Sequence, residues 1–388
     1  MMYSALMSTF TINIKIATVK DFKSLGIRDN FIKGLDELGI KVPTEIQQEV
    51  IPILLREDTD LVGQAQTGTG KTASYGLPLL AKIDTAINVP QGLILCPTRE
   101  LSKQVAKQLF RFTKYTDKIY TEAVYGGEKI DIQIVALRRP THIIVATPGR
   151  LIDLVKRKAV DLSQVHTVVM DEADEMLSMG FKKELDVILT MLSVVQNKWL
   201  FSATLPQGIK QIINSHIRDG AYRIQVSGNS IVNENIKHQY IICDKTDKHL
   251  VLFQLLKNQK DNRGIIFCKT KAATRSLTKQ LIAKNFSADC IHGDLLQKER
   301  NKVMRAFKGE KLQFLVATDL AARGLDVDDL AFIYHYQLPD QVDYYTHRSG
   351  RTARAGKEGI SLCLIIKSEL RELKSLENEL KIQFRQQW

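Results

Sequence analysis

Short apolar runs alternate with amphipathic stretches along the whole chain. In the first half the runs fall at 60–63, 93–96, 143–146, 168–170 and 200–202, and in the second at 264–268, 290–292, 314–317, 332–336 and 361–366. Each run has the length of a strand, and the stretches between them can hold crossover helices, so the pattern predicts parallel α/β sheets. Midway, the polar stretch Ser227-Gly228-Asn229-Ser230-Ile231-Val232-Asn233-Glu234-Asn235 breaks the alternation and reads as a linker. The expected organisation is a domain over 1–227, a linker at 228–235 and a second domain over 236–388, each with its own sheet. The charged stretch 369–386 reads as helical. Most polar motifs fall just after the predicted strands, the edge at which open α/β sheets bind ligands, so they should converge on one crevice.

A length of 388 residues supports two or three domains at about 150 residues each. The formal net charge of +12 suits a polyanionic partner, although excess lysine also serves simply to keep a protein soluble. Cys96, Cys243, Cys268, Cys290 and Cys363 are dispersed and form no C-x-x-C pair, which predicts a reducing compartment and no zinc. The first sixteen residues are mildly apolar but lack a basic leader and a small-residue cleavage site. No run approaches the roughly 18 apolar residues of a membrane span. A cytoplasmic protein is expected.

Chemistry enters with Ala65-Gln66-Thr67-Gly68-Thr69-Gly70-Lys71-Thr72. Its glycines let backbone N–H groups approach phosphates, Lys71 neutralises the β/γ oxygens, and the Thr72 hydroxyl can sit on Mg²⁺. The loop runs into a helix N-terminus, which favours anions. Alone, it identifies only nucleotide binding. Downstream, Asp171-Glu172-Ala173-Asp174 closes the apolar run 165–170. Clustered carboxylates are commonly a solvated helix start. Beside a phosphate loop, however, Asp171 can hold Mg²⁺ and Glu172 can orient or deprotonate an attacking water. Together the two elements predict an ATP-hydrolysing motor.

Alanine at position 65, where the general loop has glycine, combined with Asp-Glu-Ala-Asp resembles the DEAD-box family of ATP-dependent RNA helicases. The resemblance covers 22–366 and implies two tandem RecA-like domains with ATP in the cleft between them. It places nucleotide on Ala65, Thr67, Gly68, Thr69, Gly70, Lys71 and Thr72, and Mg²⁺ on Thr72 and Asp171. Gly39-Ile40-Lys41-Val42-Pro43-Thr44-Glu45-Ile46-Gln47 is similar to the family's Q motif, in which a glutamine amide, here Gln47, reads adenine, with Phe22 at the upstream aromatic position. A turn and helix start at Pro43-Thr44 would produce much of the same sequence. The family usually carries an aromatic where Ile40 stands, so stacking there gives way to aliphatic contact.

Ser202-Ala203-Thr204 resembles the segment that couples the acidic tetrapeptide, at Asp174, to the second lobe. His347-Arg348-Ser349-Gly350-Arg351-Thr352-Ala353-Arg354 resembles the motif that brings His347, Arg351 and Arg354 to the reaction. Arginine fingers of this kind accelerate phosphoryl transfer by about 10³ to 10⁵, whereas a plain reading is a solvated basic loop. Ala353 stands where most relatives have glycine. In 317–326, the resemblance puts Gly324 and Asp326 at the nucleotide, with Asp326 on the ribose hydroxyls, and Thr318 on an RNA phosphate.

RNA contacts are implied at Pro97, Thr98, Arg99, Gly126, Gly127, Thr147, Gly149, Arg150, Arg300 and Thr318. Most sit where a strand or loop meets a helix start and can offer N–H groups, hydroxyls or arginine to phosphates, though each alone is also ordinary turn chemistry. No aromatic platform of the RNP type is visible, so sequence-independent binding is expected. The implied activity is RNA-stimulated ATP hydrolysis that closes the lobes, bends one RNA strand and unwinds short duplexes or remodels ribonucleoproteins. A monomer is expected, with protein partners of the RNP, degradosome or ribosome-assembly kind. Two rivals stay open: an ATP-gated RNA clamp, and a DNA helicase of the same superfamily, the latter disfavoured by the Gln47 motif and the tetrapeptide.

Overall fold

The computed structural model describes residues 21–387, apart from 67, 193–194, 227–234, 323–326, 328–329 and 354–356. In chain order the strands are β1 (Leu61–Gln64), β2 (Gly92–Leu95), β3 (Thr121–Val124), β4 (Ile143–Ala146), β5 (Thr167–Met170), β6 (Asn197–Ser202) and β7 (Tyr222–Gln225). They continue with β8 (Ile236–Ile242), β9 (Gly264–Phe267), β10 (Ala288–Ile291), β11 (Phe314–Ala317), β12 (Phe332–His335), β13 (Gly359–Ile365) and β14 (Arg385–Gln386). All pairings are parallel. The first sheet is ordered β3-β4-β2-β5-β6-β1-β7 and the second β10-β11-β9-β12-β13-β8-β14, the same order with each number raised by seven. The two halves are therefore structural repeats of one α/β unit, matching tandem RecA-like domains.

Helices cover both faces of each sheet. Strands β2, β4, β5, β9, β11 and β12 are consequently buried at every position, and such strands read in sequence as unbroken apolar runs. Side-chain alternation divides the first core in two: Ile94, Val145, Val169 and Phe201 pack on one face, and Leu93, Leu95, Ile144 and Leu200 on the other. The edge strands β3 and β7 lack that signal. They are only partly buried, which is why the apolar pattern passes over them.

The charged C-terminal stretch departs from expectation. Its helix runs Leu370–Leu380 and ends at Lys381, whose φ of 53° is left-handed. Glu377 then accepts the N–H of Phe384 through its carboxylate at 2.8 Å. Phe384 is buried, and Arg385–Gln386 adds as β14 beside β8. Burial of Phe384 overrides the helical character of the surrounding charges. Among the described residues, no helix is long and apolar enough to cross a membrane.

Candidate functional site

The phosphate-type loop follows β1 and turns at Gly70, whose φ of 89° suits glycine, into the helix Lys71–Ala81. The first N–H groups of that helix have no intrahelical acceptors and favour an anion. Lys71 is buried, and its Nζ donates to the Ala65 carbonyl at 2.8 Å. Asp171 follows β5. Its Oδ2 accepts from the Tyr75 hydroxyl at 2.7 Å, while Oδ1 is buried with no hydrogen-bond partner. A buried carboxylate oxygen without a partner is costly. With Thr72 and Glu172 it lines a cavity of about 240 Å³. This donor set fits Mg²⁺, which takes few protein ligands and completes its shell with phosphate oxygens and water.

Burial raises the pKa of Asp171, with the Lys71 ammonium opposing. Burial and the adjacent Asp171 likewise raise Glu172. Glu172 itself is left-handed, at φ 50° and ψ 52°, where it caps the helix Ala173–Ser178. A non-glycine residue in that region costs about 1–3 kcal/mol, so the surrounding fold holds Glu172 in place.

The second lobe reaches the same cavity. Arg351, just beyond the helix Val342–Ser349, lines it together with Lys71, Thr72, Asp171 and Glu172. His347 meets the first lobe through Nδ1, 3.0 Å from Glu175 Oε1. Burial opposes its charged form, but Glu175, Glu172 and Asp174 outweigh that and raise its pKa. Asp174 Oδ2 accepts from the Thr204 N–H at 2.8 Å and from its hydroxyl at 3.0 Å, while Ser202 Oγ accepts from the Asp174 N–H at 3.2 Å. The Thr204 hydroxyl also lies 3.4 Å from Asp343 Oδ2 of the second lobe. Asp174, Ser202 and Thr204 are thus brought together, one hydroxyl away from the partner lobe.

Two nucleotide residues sit differently from expectation. Gln47 lines the cavity, but with its amide bonded to protein: its Oε1 accepts from the Thr44 N–H at 2.9 Å and its Nε2 donates to the Gly70 carbonyl at 3.0 Å. It braces the phosphate loop, because a capping position at a helix start needs an acceptor. Phe22 is a core residue, 2% exposed, and not part of the cavity wall; an aromatic ring gains more from the apolar cluster with Leu25 and Phe31 than from a wet cleft. Ile40 does line the cavity. Thr67, Gly324, Asp326 and Arg354, and the linker at 228–234, lie outside the described residues.

Residues expected at RNA follow β2, β3 and β4, which are neighbours in the sheet. This sets Pro97, Thr98 and Arg99 beside Gly126 and Gly127 and beside Thr147, Gly149 and Arg150. Thr318 follows β11 in the other lobe. Thr98 caps the helix Arg99–Phe112 through its side chain. Arg99 stacks over Tyr125 at 5.1 Å, and its Nη1 is buried without a partner. Two arginines are already engaged by protein. Arg150 donates to Gln133 Oε1 at 2.8 Å and to the Glu128 carbonyl at 2.9 Å, fixing the loop after Gly126-Gly127. Arg300 donates to Glu100 Oε1 and to the Ala321 carbonyl, each at 2.7 Å, bridging the lobes. A guanidinium satisfies several donors at once, and buried acceptors outcompete solvent for it.

Sequence reasoning assigned no role to Glu100, Glu175, Asp343 or Arg348. Arg348 is 2% exposed and pairs with Asp319 in a fork, its Nη2 2.7 Å from Oδ2. Arg348 was visible as the first arginine of its motif; its burial was not.

Comparison with known proteins agrees with this geometry. The family model described as DEAD/DEAH box helicase matches residues 44–212, and that described as Helicase conserved C-terminal domain matches 247–356. The chain is 41% identical over 360 residues to the DEAD-box ATP-dependent RNA helicase CshA of Bacillus cereus (strain ATCC 10987 / NRS 248), covering 93% of this chain and 68% of that protein. S. cerevisiae Dbp5 bound to RNA and ADP BeF3 superimposes with a TM-score of 0.87 at 28% identity, over 95% of this chain and 96% of that one. A Dbp5 variant bound to Nup159, Gle1, IP6 and ADP gives a TM-score of 0.67 at 26% identity, over 93% and 95%. From its paired sheets, its phosphate loop, its acidic tetrapeptide and these matches, the chain belongs to the DEAD-box helicase family.

Proposed function

We propose that this protein is an ATP-dependent RNA helicase whose lobes, 1–227 and 236–388 joined by the linker 228–235, close on ATP and a single RNA strand together. One observation carries the reading. Arg351 of the second lobe lines the same cavity as Lys71, Thr72, Asp171 and Glu172 of the first, so the reacting groups are complete only when the lobes meet. The better superposition on the RNA-bound and ADP BeF3-bound relative supports a closed arrangement.

In this reading, the loop N–H groups, Thr69 and Lys71 hold the β- and γ-phosphates. Asp171 and Thr72 would hold Mg²⁺, which would neutralise phosphate oxygens. Glu172 takes the proton of the attacking water, and burial beside Asp171 raises its pKa, which makes it a stronger base than a free carboxylate. Arg351, joined by Arg354, meets the charge that builds on the γ-phosphate. By the family resemblance, Gly324 serves the nucleotide and Asp326 its ribose hydroxyls. The contacts from His347 to Glu175 and from Thr204 to Asp343 report closure to the hydrolytic residues.

RNA lies along the row of strand ends, held at its sugar–phosphate backbone by Arg99, Thr147, Gly149, Thr318 and the N–H groups of Gly126 and Gly127. Backbone contacts carry no base code. A strand bent to follow both lobes leaves its regular duplex, so short duplexes separate locally.

The test is steady-state ATPase with no nucleic acid, single-stranded RNA or single-stranded DNA. RNA should stimulate turnover; Glu172→Gln should bind ATP and RNA yet nearly stop hydrolysis, and Lys71→Ala should weaken nucleotide binding. Equal stimulation by DNA would move the assignment to a DNA helicase, and parent turnover in Glu172→Gln would remove the base.

A further inference from the structure

The helix that brings the second lobe to the nucleotide is short, the eight residues Val342–Ser349, and its buried positions are Tyr345, Thr346, Arg348 and Ser349. Helices of this length are marginal on their own, so tertiary contacts must set its angle. Every one of those buried side chains carries a polar group. Its placement therefore depends on directional hydrogen bonds as well as on the packing of Tyr345 and Val342 in the apolar cluster.

Those bonds form one buried chain. Arg348 Nη1 lies 3.3 Å from His335 Nδ1 on β12, and His335 Nε2 lies 3.0 Å from Ser361 Oγ on β13. Arginine has only donors, so Nδ1 accepts, Nε2 carries the ring proton, and Ser361 accepts from it. Ser361 is the hub. Its Oγ meets Ser349 Oγ at 2.8 Å and the Tyr345 hydroxyl at 3.0 Å, and that hydroxyl meets His238 Nδ1 on β8 at 2.6 Å. Tyr345, Ser349, Ser361 and His335 are all 0% exposed. Three strands thus grip one face of a helix whose end leads directly to Arg351.

We propose that Tyr345 and Ser361 are positioning residues for hydrolysis, setting through this helix the angle at which Arg351 enters the cleft. The inference rests on the reading of Arg351 as an arginine finger. Networks of this kind are worth more than their separate bonds and are apportioned by double-mutant cycles.

The experiment is such a cycle on the full chain, with RNA-stimulated kcat and the KM for ATP measured well below the melting temperature. Tyr345→Phe keeps the ring and removes the hydroxyl. It should lower kcat about tenfold, as expected for one misplaced hydrogen-bonded contact in the transition state, with KM changed less than about twofold because ATP binds mainly to the first lobe. In an Arg351→Ala background the same substitution should cost nothing further. Ser361→Ala, which removes the hub, runs the same cycle should Tyr345→Phe fail to fold. Equal fold-losses in both backgrounds, or an unchanged kcat in the Tyr345→Phe and Ser361→Ala single variants, overturn the proposal while leaving the finger reading intact. Parent turnover in Arg351→Ala alone overturns the finger reading and the proposal with it.

Discussion

Arg300 Nε and Glu100 Oε1 lie 2.7 Å apart across the seam between the lobes, with side-chain exposures of 14% and 22%. A guanidinium expected on an RNA phosphate clasps the two lobes. Its second bond, to the Ala321 carbonyl, fixes its direction, and the shielding makes the pair stronger than a surface salt bridge.

Arg300→Ala should therefore weaken RNA binding in the presence of a non-hydrolysable ATP analogue by about 2 kcal/mol, roughly thirtyfold. The dependence of log K on log salt should keep its slope, whereas loss of a phosphate contact on a single strand would flatten it by about 0.7. Titrations at several salt concentrations decide between the two. A flattened slope would return Arg300 to the RNA.

The proton acceptor predicts an acid limb. Glu172 must be ionised to act, and burial with the neighbouring Asp171 raises its pKa above the ordinary 4.5. RNA-stimulated kcat should accordingly fall, as pH is lowered, with an apparent pKa above 4.5. An acid limb at or below that value, at saturating ATP and RNA, would place proton acceptance elsewhere.

His347 predicts the opposite limb for closure. Its imidazolium is the paired form, and contact with Glu175 raises its pKa above the ordinary 6.5 despite burial. The stabilisation is then fully present below 6.5 and lost as pH rises through the raised value. Fluorescence transfer between labels on the two lobes, with analogue and RNA bound, should report weaker closure at higher pH. His347→Asn should flatten that dependence. A parent protein that closes equally well across the range would show that the pair contributes nothing.

Two glycines with positive φ separate strain from contact. Gly70 has φ 89° and a Cβ there would fall 2.3 Å from Gln47 Nε2, whereas Gly39 has φ 72° and nothing within 4 Å. Gly39→Ala should cost about 1 kcal/mol of stability from backbone strain alone, with ATP affinity kept. Gly70→Ala should break the brace between Gln47 and the loop and lower ATP affinity at least about tenfold, since each 1.4 kcal/mol of lost binding is a factor of ten. Calorimetric titration of both variants checks the difference, and matching affinities would dismiss the brace.

By itself the sequence determined the two parallel sheets and the chemical centre of the site. Central strands such as β2 and β11 are covered on both faces and so appear as uninterrupted apolar runs. The phosphate loop and Asp171-Glu172-Ala173-Asp174 are legible for a related reason: their chemistry lies in contiguous residues whose local backbone does the work. Edge strands β3 and β7 and the closing β14 were hidden because an edge is only partly buried and needs no apolar run.

Only the tertiary structure decided which partner each polar side chain takes. Glu100 and Arg300 are 200 residues apart in sequence, and no periodicity links them. Arg150 turns to Gln133, and Gln47 to Gly70, because the fold sets an acceptor within reach and leaving a shielded donor unpaired is costly. Residue type declares what a side chain can bond; the meeting of two repeated sheets across a cleft determines what it does bond.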